Sequence, residues 1–238
     1  MNVKRASIFV GAVAGFAMSG MATAEFQGMA YQNVRTGAEG TTYRIYAILD
    51  DGDRLDAVAG NGQQELSMTS INGFYQNANG GPTSKEINSN FFAFVPSMEW
   101  DSYVTVGALY QDGTPFGSNE LNNVGMQWGA FEGGGDLFTD NGTWFVTPDQ
   151  EQGEAILHSN LEGDVTGAAF GVLIAQVTTT ATGGIDGTFS GLLQGKDANG
   201  DTWQANVDGF QYGGVVPAPG ALALLGLAGL AGRRRRRA

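Results

Sequence analysis

Among the Asx-Gly steps of this chain, seven cut its middle into short pieces: Asp51-Gly52, Asn61-Gly62, Asn72-Gly73, Asn79-Gly80, Asp112-Gly113, Asn141-Gly142 and Asn199-Gly200. Such steps supply the positive φ that tight turns between antiparallel strands need. The runs between them alternate, or are rich in β-branched and aromatic residues. Residues 41–49, 91–95, 103–109, 124–131, 143–146, 169–180, 188–193 and 203–207 read as strands. No long segment holds a convincing 3.6-residue period, and a single short helical turn is expected near residues 148–155. The pattern predicts an all-β domain over residues 25–214, built as a sandwich or in jelly-roll-like fashion. Glycine, at 38 residues, fits many turns, and without a Gly-X-Y period collagen is excluded.

The chain has no cysteine. Disulfides, thiolate metal sites, a cysteine nucleophile and a lipid-modified cysteine are therefore excluded, and stability must come from apolar burial and strand pairing. Charge is segregated. Of 12 basic residues, seven lie at the ends, while all 24 acidic residues fall between Glu25 and Asp208. The middle keeps only Arg35, Arg44, Arg54, Lys85 and Lys196, a net of −19. So acidic a surface repels phosphate backbones, which argues against nucleic acid as a partner.

Both ends read as addresses. Lys4 and Arg5 precede an apolar run over residues 6–18, and Ala22-Thr23-Ala24 follows. Charge, a short apolar stretch and A-x-A form the secretory pattern, with cleavage by signal peptidase expected after Ala24. The run is shorter than the roughly 20 residues of a spanning helix. The far end reads Pro217-Ala218-Pro219, then an apolar run with Leu222, Leu224, Leu225, Leu227 and Leu230. Arg233, Arg234, Arg235, Arg236 and Arg237 close it. The prolines favour an extended stretch, and the apolar run is near the lower limit for a short transmembrane helix. The arginines belong on the cytoplasmic side. Residues 1–24, 25–214 and 215–238 thus read as signal peptide, exported domain and tail. Export would proceed through transient anchoring in the inner membrane.

The stretch VPAPGALALLGLAGLAGRRRRR resembles the PEP-CTERM sorting tails, with Ala218 in place of the central glutamate of their Pro-Glu-Pro signature. The resemblance implies processing by an exosortase-type membrane enzyme. It also implies a cell-surface or biofilm-matrix setting with exopolysaccharide nearby. The segments TTYRIYAILDD, GFYQN, PSMEWDSYVTVG, FEGGGDLFTDNGTWFVTP and LIAQVTT are similar to uncharacterised exported bacterial proteins that end in the same tail.

Several constellations bear on chemistry. Asp197, Asn199 and Asp201 have the alternate spacing of a calcium loop, with Asp208 at the twelfth position; a plain Asx-rich hairpin turn also accounts for them. Asp50, Asp51, Asp53 and Asp56 form a second acidic cluster, either a cation site or a solvated loop. Glu99 and Asp101 would share a face in a strand, the arrangement a hydrolase's carboxylate pair requires. His158 is the sole histidine and has no G-x-S-x-G partner, so a serine triad or histidine metal site lacks its other members. Trp100, Trp128, Trp144, Trp203, Tyr75 and Tyr110 are candidates for sugar stacking or for the core. Thr178, Thr179, Thr180 and Thr182 are too few for a regular threonine ladder. The expectation is a non-catalytic structural or adhesive protein with no cofactor, calcium being the one candidate. A glycan-binding module and a secreted hydrolase are the alternatives.

Overall fold

The computed structural model describes residues 26–180 and 185–214. They fold as an all-β structure of two sheets. The first contains β1 (Gly28–Gly37), β2 (Gly40–Ile48), β5 (Tyr103–Val104), β9 (Ile156–Gly163) and β10 (Gly167–Thr179), in the order β2-β1-β9-β10-β5. Because β2 also pairs with β10, strands β1, β2, β10 and β9 close a ring. The second contains β3 (Arg54–Gly60), β4 (Leu66–Ser70), β6 (Asn122–Val124), β7 (Leu137–Thr139), β8 (Gly142–Phe145), β11 (Gly187–Lys196) and β12 (Thr202–Tyr212). Here β11 pairs with β12 on one side and with β3 and β4 on the other.

The two sheets face one another across one core, in the manner of a sandwich. Ile45, Val172 and Ile174 from the first sheet meet Val58, Met68, Trp144, Phe189 and Leu193 from the second. A smaller cluster (Ala30, Tyr46, Ile48, Leu161, Leu173) lies on the other face of the first sheet, where the ring curls over itself. Strand periodicity assigns these faces: alternate residues of β2 go inward and outward.

Strand β11 carries glycine on its buried face, and register explains it. Gly187 stands opposite Tyr212, and Gly195 opposite Trp203. A Cβ at Gly195 would come within 2.8 Å of the Trp203 ring and 1.9 Å of the Arg54 carbonyl oxygen. The aromatic ring of β12 fills the space that the glycine of β11 leaves. Gly195→Ala is expected to destabilise the protein by about 1–3 kcal/mol through overpacking, measured as a shift of the urea midpoint at constant slope.

The runs expected at 41–49, 143–146, 169–180, 188–193 and 203–207 match β2, β8, β10, β11 and β12, and the turn near 148–155 is the 3₁₀ turn Glu151–Gly153. Others do not hold. Residues 91–95 are not a strand but 3₁₀ and hydrogen-bonded turns on the surface, bracketed by the Asn88 side chain, which accepts from Asn90 N, and by Pro96. Residues 124–131 leave strand geometry after Val124, because Gly125 sits at φ 74° and a helical turn begins at Gly129. The 103–109 run shortens to β5. Strands β1, β3, β4, β7 and β9 were not signalled by alternation. The signal segment and the tail lie outside the described residues.

Candidate functional site

Antiparallel partners share a face of their sheet. On the outer face of the first sheet, register lines up Gln32 of β1, Arg44 of β2, Gln176 of β10 and Tyr103 of β5 in one row. The row below holds Ala30, Tyr46 and Leu173, and the row above Arg35, Thr42 and Thr178. Two covers climb onto this face. Strand β9 brings His158, whose ring centroid lies 4.2 Å from that of Tyr46 with the two planes tilted by 41°. The segment from Glu99 to Tyr110 covers the other side, with Gln176 Nε2 donating to the Glu99 and Asp101 carbonyls. Arg44 lies half-buried between the covers, its Nε donating to Gln176 Oε1 at 3.1 Å.

The electrostatics of this recess are unusual for so acidic a protein. Arg35 pairs with Glu39 at 2.8 Å and Arg54 with Asp56 at 2.7 Å, whereas Arg44 has no carboxylate within ion-pair distance among the described residues. Its neighbours are neutral hydroxyls. Burial pushes the Tyr46 phenol up to about 12 despite the opposing pull of Arg44. Burial also raises Tyr110, with Arg44 again opposing, and it holds Tyr103 well above the usual phenol range. The Tyr103 hydroxyl is fully buried and has no hydrogen-bond partner. Burial lowers His158, the charge of Arg44 adding to the effect, so its ring is neutral at pH 7. The carboxylates felt here are Glu99 and Asp112, both acting on Tyr110, and Asp101, acting on Tyr103.

Beside the recess an aromatic loop projects. The Phe92 ring meets Tyr110 edge-on at 5.0 Å, while Phe91 is 52 % and Phe94 83 % exposed. Trp100 is half-buried with the Arg35 guanidinium 4.4 Å over its ring. Comparison with known protein families, curated proteins and solved structures finds no match. The site is therefore read from its own residues.

The other singled-out residues fall as follows. Trp144 and Trp203 are core residues and so are not surface platforms, while Trp128 is half-buried and packs one side against the core. Tyr75 is half-buried, its hydroxyl accepting from Asn77 Nδ2. Asp197 closes the β11–β12 hairpin: its Oδ1 accepts from the backbone of Asn199 and Asp201, and its Oδ2 from Asn199 Nδ2. Asp208, toward the other end of β12, accepts from Gln64 instead, so the four residues do not converge. The two acidic stretches do meet, since Asp53 Oδ1 accepts from Ala198 N. Burial raises Asp53, with Asp50 and Asp197 adding to it. Asp56 is taken by Arg54. Among the described residues no group of three His, Asp or Glu side chains gathers to hold a metal. Glu99 and Asp101 do not share a strand face; Glu99 lies within the 3₁₀ turn Pro96–Trp100 and Asp101 is its buried C-cap. Thr178 and Thr179 are buried. Among the described residues no helix is long and apolar enough to cross a membrane. Ala22, Ala24, Pro217, Ala218, Pro219, the tail leucines and the arginine cluster lie outside the described residues, as does Thr182. Sequence reasoning missed Arg44 and Phe94. Arg44 was one basic residue inside an ordinary strand pattern, and Phe94 belonged to a run that reads as core.

Proposed function

We propose that this protein is exported to the cell surface or extracellular matrix and acts there by binding, as a non-catalytic adhesive or structural component. Charge segregation supports export: an end that can enter lipid and an arginine-tipped tail flank a middle too acidic to follow. In this reading signal peptidase cuts after Ala24. The tail holds the chain in the inner membrane until an exosortase-type enzyme acts near Pro217-Ala218-Pro219. The observation that carries the binding role is the exposed aromatic loop at Phe91 and Phe94 beside the carboxylate-free Arg44. Large exposed aromatics next to an uncompensated cation are the composition of recognition surfaces rather than of inert ones.

A glycan-binding reading is favoured over a purely structural one by the Tyr110–Phe92 pair, which offers ring faces and a hydroxyl together. The hydrolase alternative draws no support from Glu99 and Asp101, given where their carboxyls lie.

Intact mass spectrometry of protein recovered from culture medium tests the sorting scheme. The expected species begins at Glu25 and lacks Arg233 through Arg237. Recovery of the full-length polypeptide from the cytosol would overturn it. Pull-down on the producing cell's own polysaccharide tests the binding role.

A further inference from the structure

We infer that the recess around Arg44 binds the carboxylate of an acidic sugar, that is, a uronic-acid unit within a glycan. This rests on the glycan-binding reading and adds its chemical class. A guanidinium stays charged at any working pH, and a half-buried charge without a counter-ion carries a desolvation cost that a bound anion relieves. Arg35 and Arg54 have that relief from Glu39 and Asp56, and Arg44 does not. In the same row, the Tyr103 hydroxyl is buried and unpartnered, a donor with nothing to donate to. Tyr46, Tyr103 and Tyr110 hold their protons, so the groups facing the cation present O–H and not O⁻. A guanidinium takes a carboxylate through two parallel N–H···O bonds.

The rest of the surface narrows the class. With a net of −19 over the middle of the chain, a phosphate-rich polyanion meets repulsion from every side. A single carboxylate on an otherwise neutral, hydroxyl-bearing ring meets the least. Such a ring also fits the neighbouring apolar faces of Tyr110 and Phe92, while the Gln32 and Gln176 amides, already engaged with Ser159, Tyr46, Arg44, Glu99 and Asp101, hold the row in place. Glu99 on the covering segment forms no ion pair with the cation.

The test is calorimetric titration of the full-length protein with a glucuronate-containing disaccharide, its neutral glucose counterpart and inorganic phosphate. The acidic sugar is expected to bind about tenfold or more tightly than the neutral one. Arg44→Met is expected to abolish that preference at an unchanged melting temperature, and Arg44→Lys to keep part of it. In the wild type alone, added sodium chloride is expected to weaken the acidic sugar and spare the neutral one. That measurement stands even where Arg44→Met misfolds. Equal binding of the two sugars, an undiminished preference in a folded Arg44→Met, or equal displacement by phosphate overturns the inference. Binding of neutral glycans without acidic preference sinks the carboxylate assignment and leaves the glycan reading intact; binding of no glycan sinks both.

Discussion

Trp144→Ala is expected to cost about 3–5 kcal/mol, enough to leave a domain of ordinary stability largely unfolded at modest denaturant. The indole is fully buried on β8, between the cross-strand partners Val58 and Asn123. Truncating it empties a site in the centre of the core, where the two sheets cannot collapse without disturbing their ladders. The indole also donates from Nε1 to the Thr105 carbonyl at 2.9 Å. Thr105 shares its hydroxyl with Ser84, and Asn119 donates to Ser84. Removing the ring therefore orphans a buried carbonyl and loosens the network that holds residues 83–121 to the core. Trp144→Phe separates the effects: it keeps most of the volume and loses the donor, for a loss of about 1–3 kcal/mol. Urea midpoints of the two variants measure both numbers. A Trp144→Ala midpoint close to wild type would mean that the indole is not at the centre of the core.

The fold class was legible because turn chemistry is local. Gly52, Gly73, Gly113 and Gly200 adopt the positive φ that their Asx-Gly steps foretold, whereas Gly62, Gly80 and Gly142 do not, and Gly142 instead opens strand β8. The long strands β2, β10 and β11 were legible because both sides of each are paired, which selects apolar and β-branched residues along the run. Strand β9 (ILHSNLEG) was not: it too is paired on both sides, by β1 and β10, but most of its side chains are exposed, so no apolar run marks it. The run 91–95 misled for the opposite reason: five consecutive apolar residues read as a buried strand, yet the segment lies on the surface. Period alone cannot distinguish an apolar run made for the core from one displayed to a partner. The recess could not be read at all. Arg44, Gln176 and Tyr103 are far apart in sequence, and only the β5–β10–β2 register brings them into one row.

Asp101 carries the second large effect, a pH dependence of stability. The residue is fully buried. Its Oδ1 accepts from Asn77 N at 2.7 Å and Ser102 N at 3.0 Å. Its Oδ2 has no partner and lies against Gly80, where a Cβ would come within 1.7 Å of it. Burial pushes the carboxyl up to about 7 against the pull of those N–H donors, with the charge of Glu132 adding to the rise. A folded-state pKa above the unfolded one means that the folded protein keeps a proton the unfolded chain releases. Below the unfolded value of 3.8 both states are protonated, and the contribution of Asp101 to stability is fully present. Between there and about pH 7 it is lost at about 1.4 kcal/mol per unit, some ~4 kcal/mol in all, and above pH 7 the loss is complete. Asp53, Glu132 and Asp186 are raised by burial too and slope the same way, while His158 slopes the other. The wild type alone therefore reports a sum. Asp101→Asn isolates one member: the amide keeps the Oδ1 acceptor and cannot ionise. Its Nδ2 lacks an acceptor, a pH-independent cost that shifts the whole curve without tilting it. Chemical denaturation of both proteins from about pH 4 to pH 8 is expected to give a wild-type curve that falls more steeply than the variant's. The gap between the two curves should stop changing above about pH 7. Parallel curves across that window would place the proton of Asp101 elsewhere, and with it the account of how residues 77–81 are held.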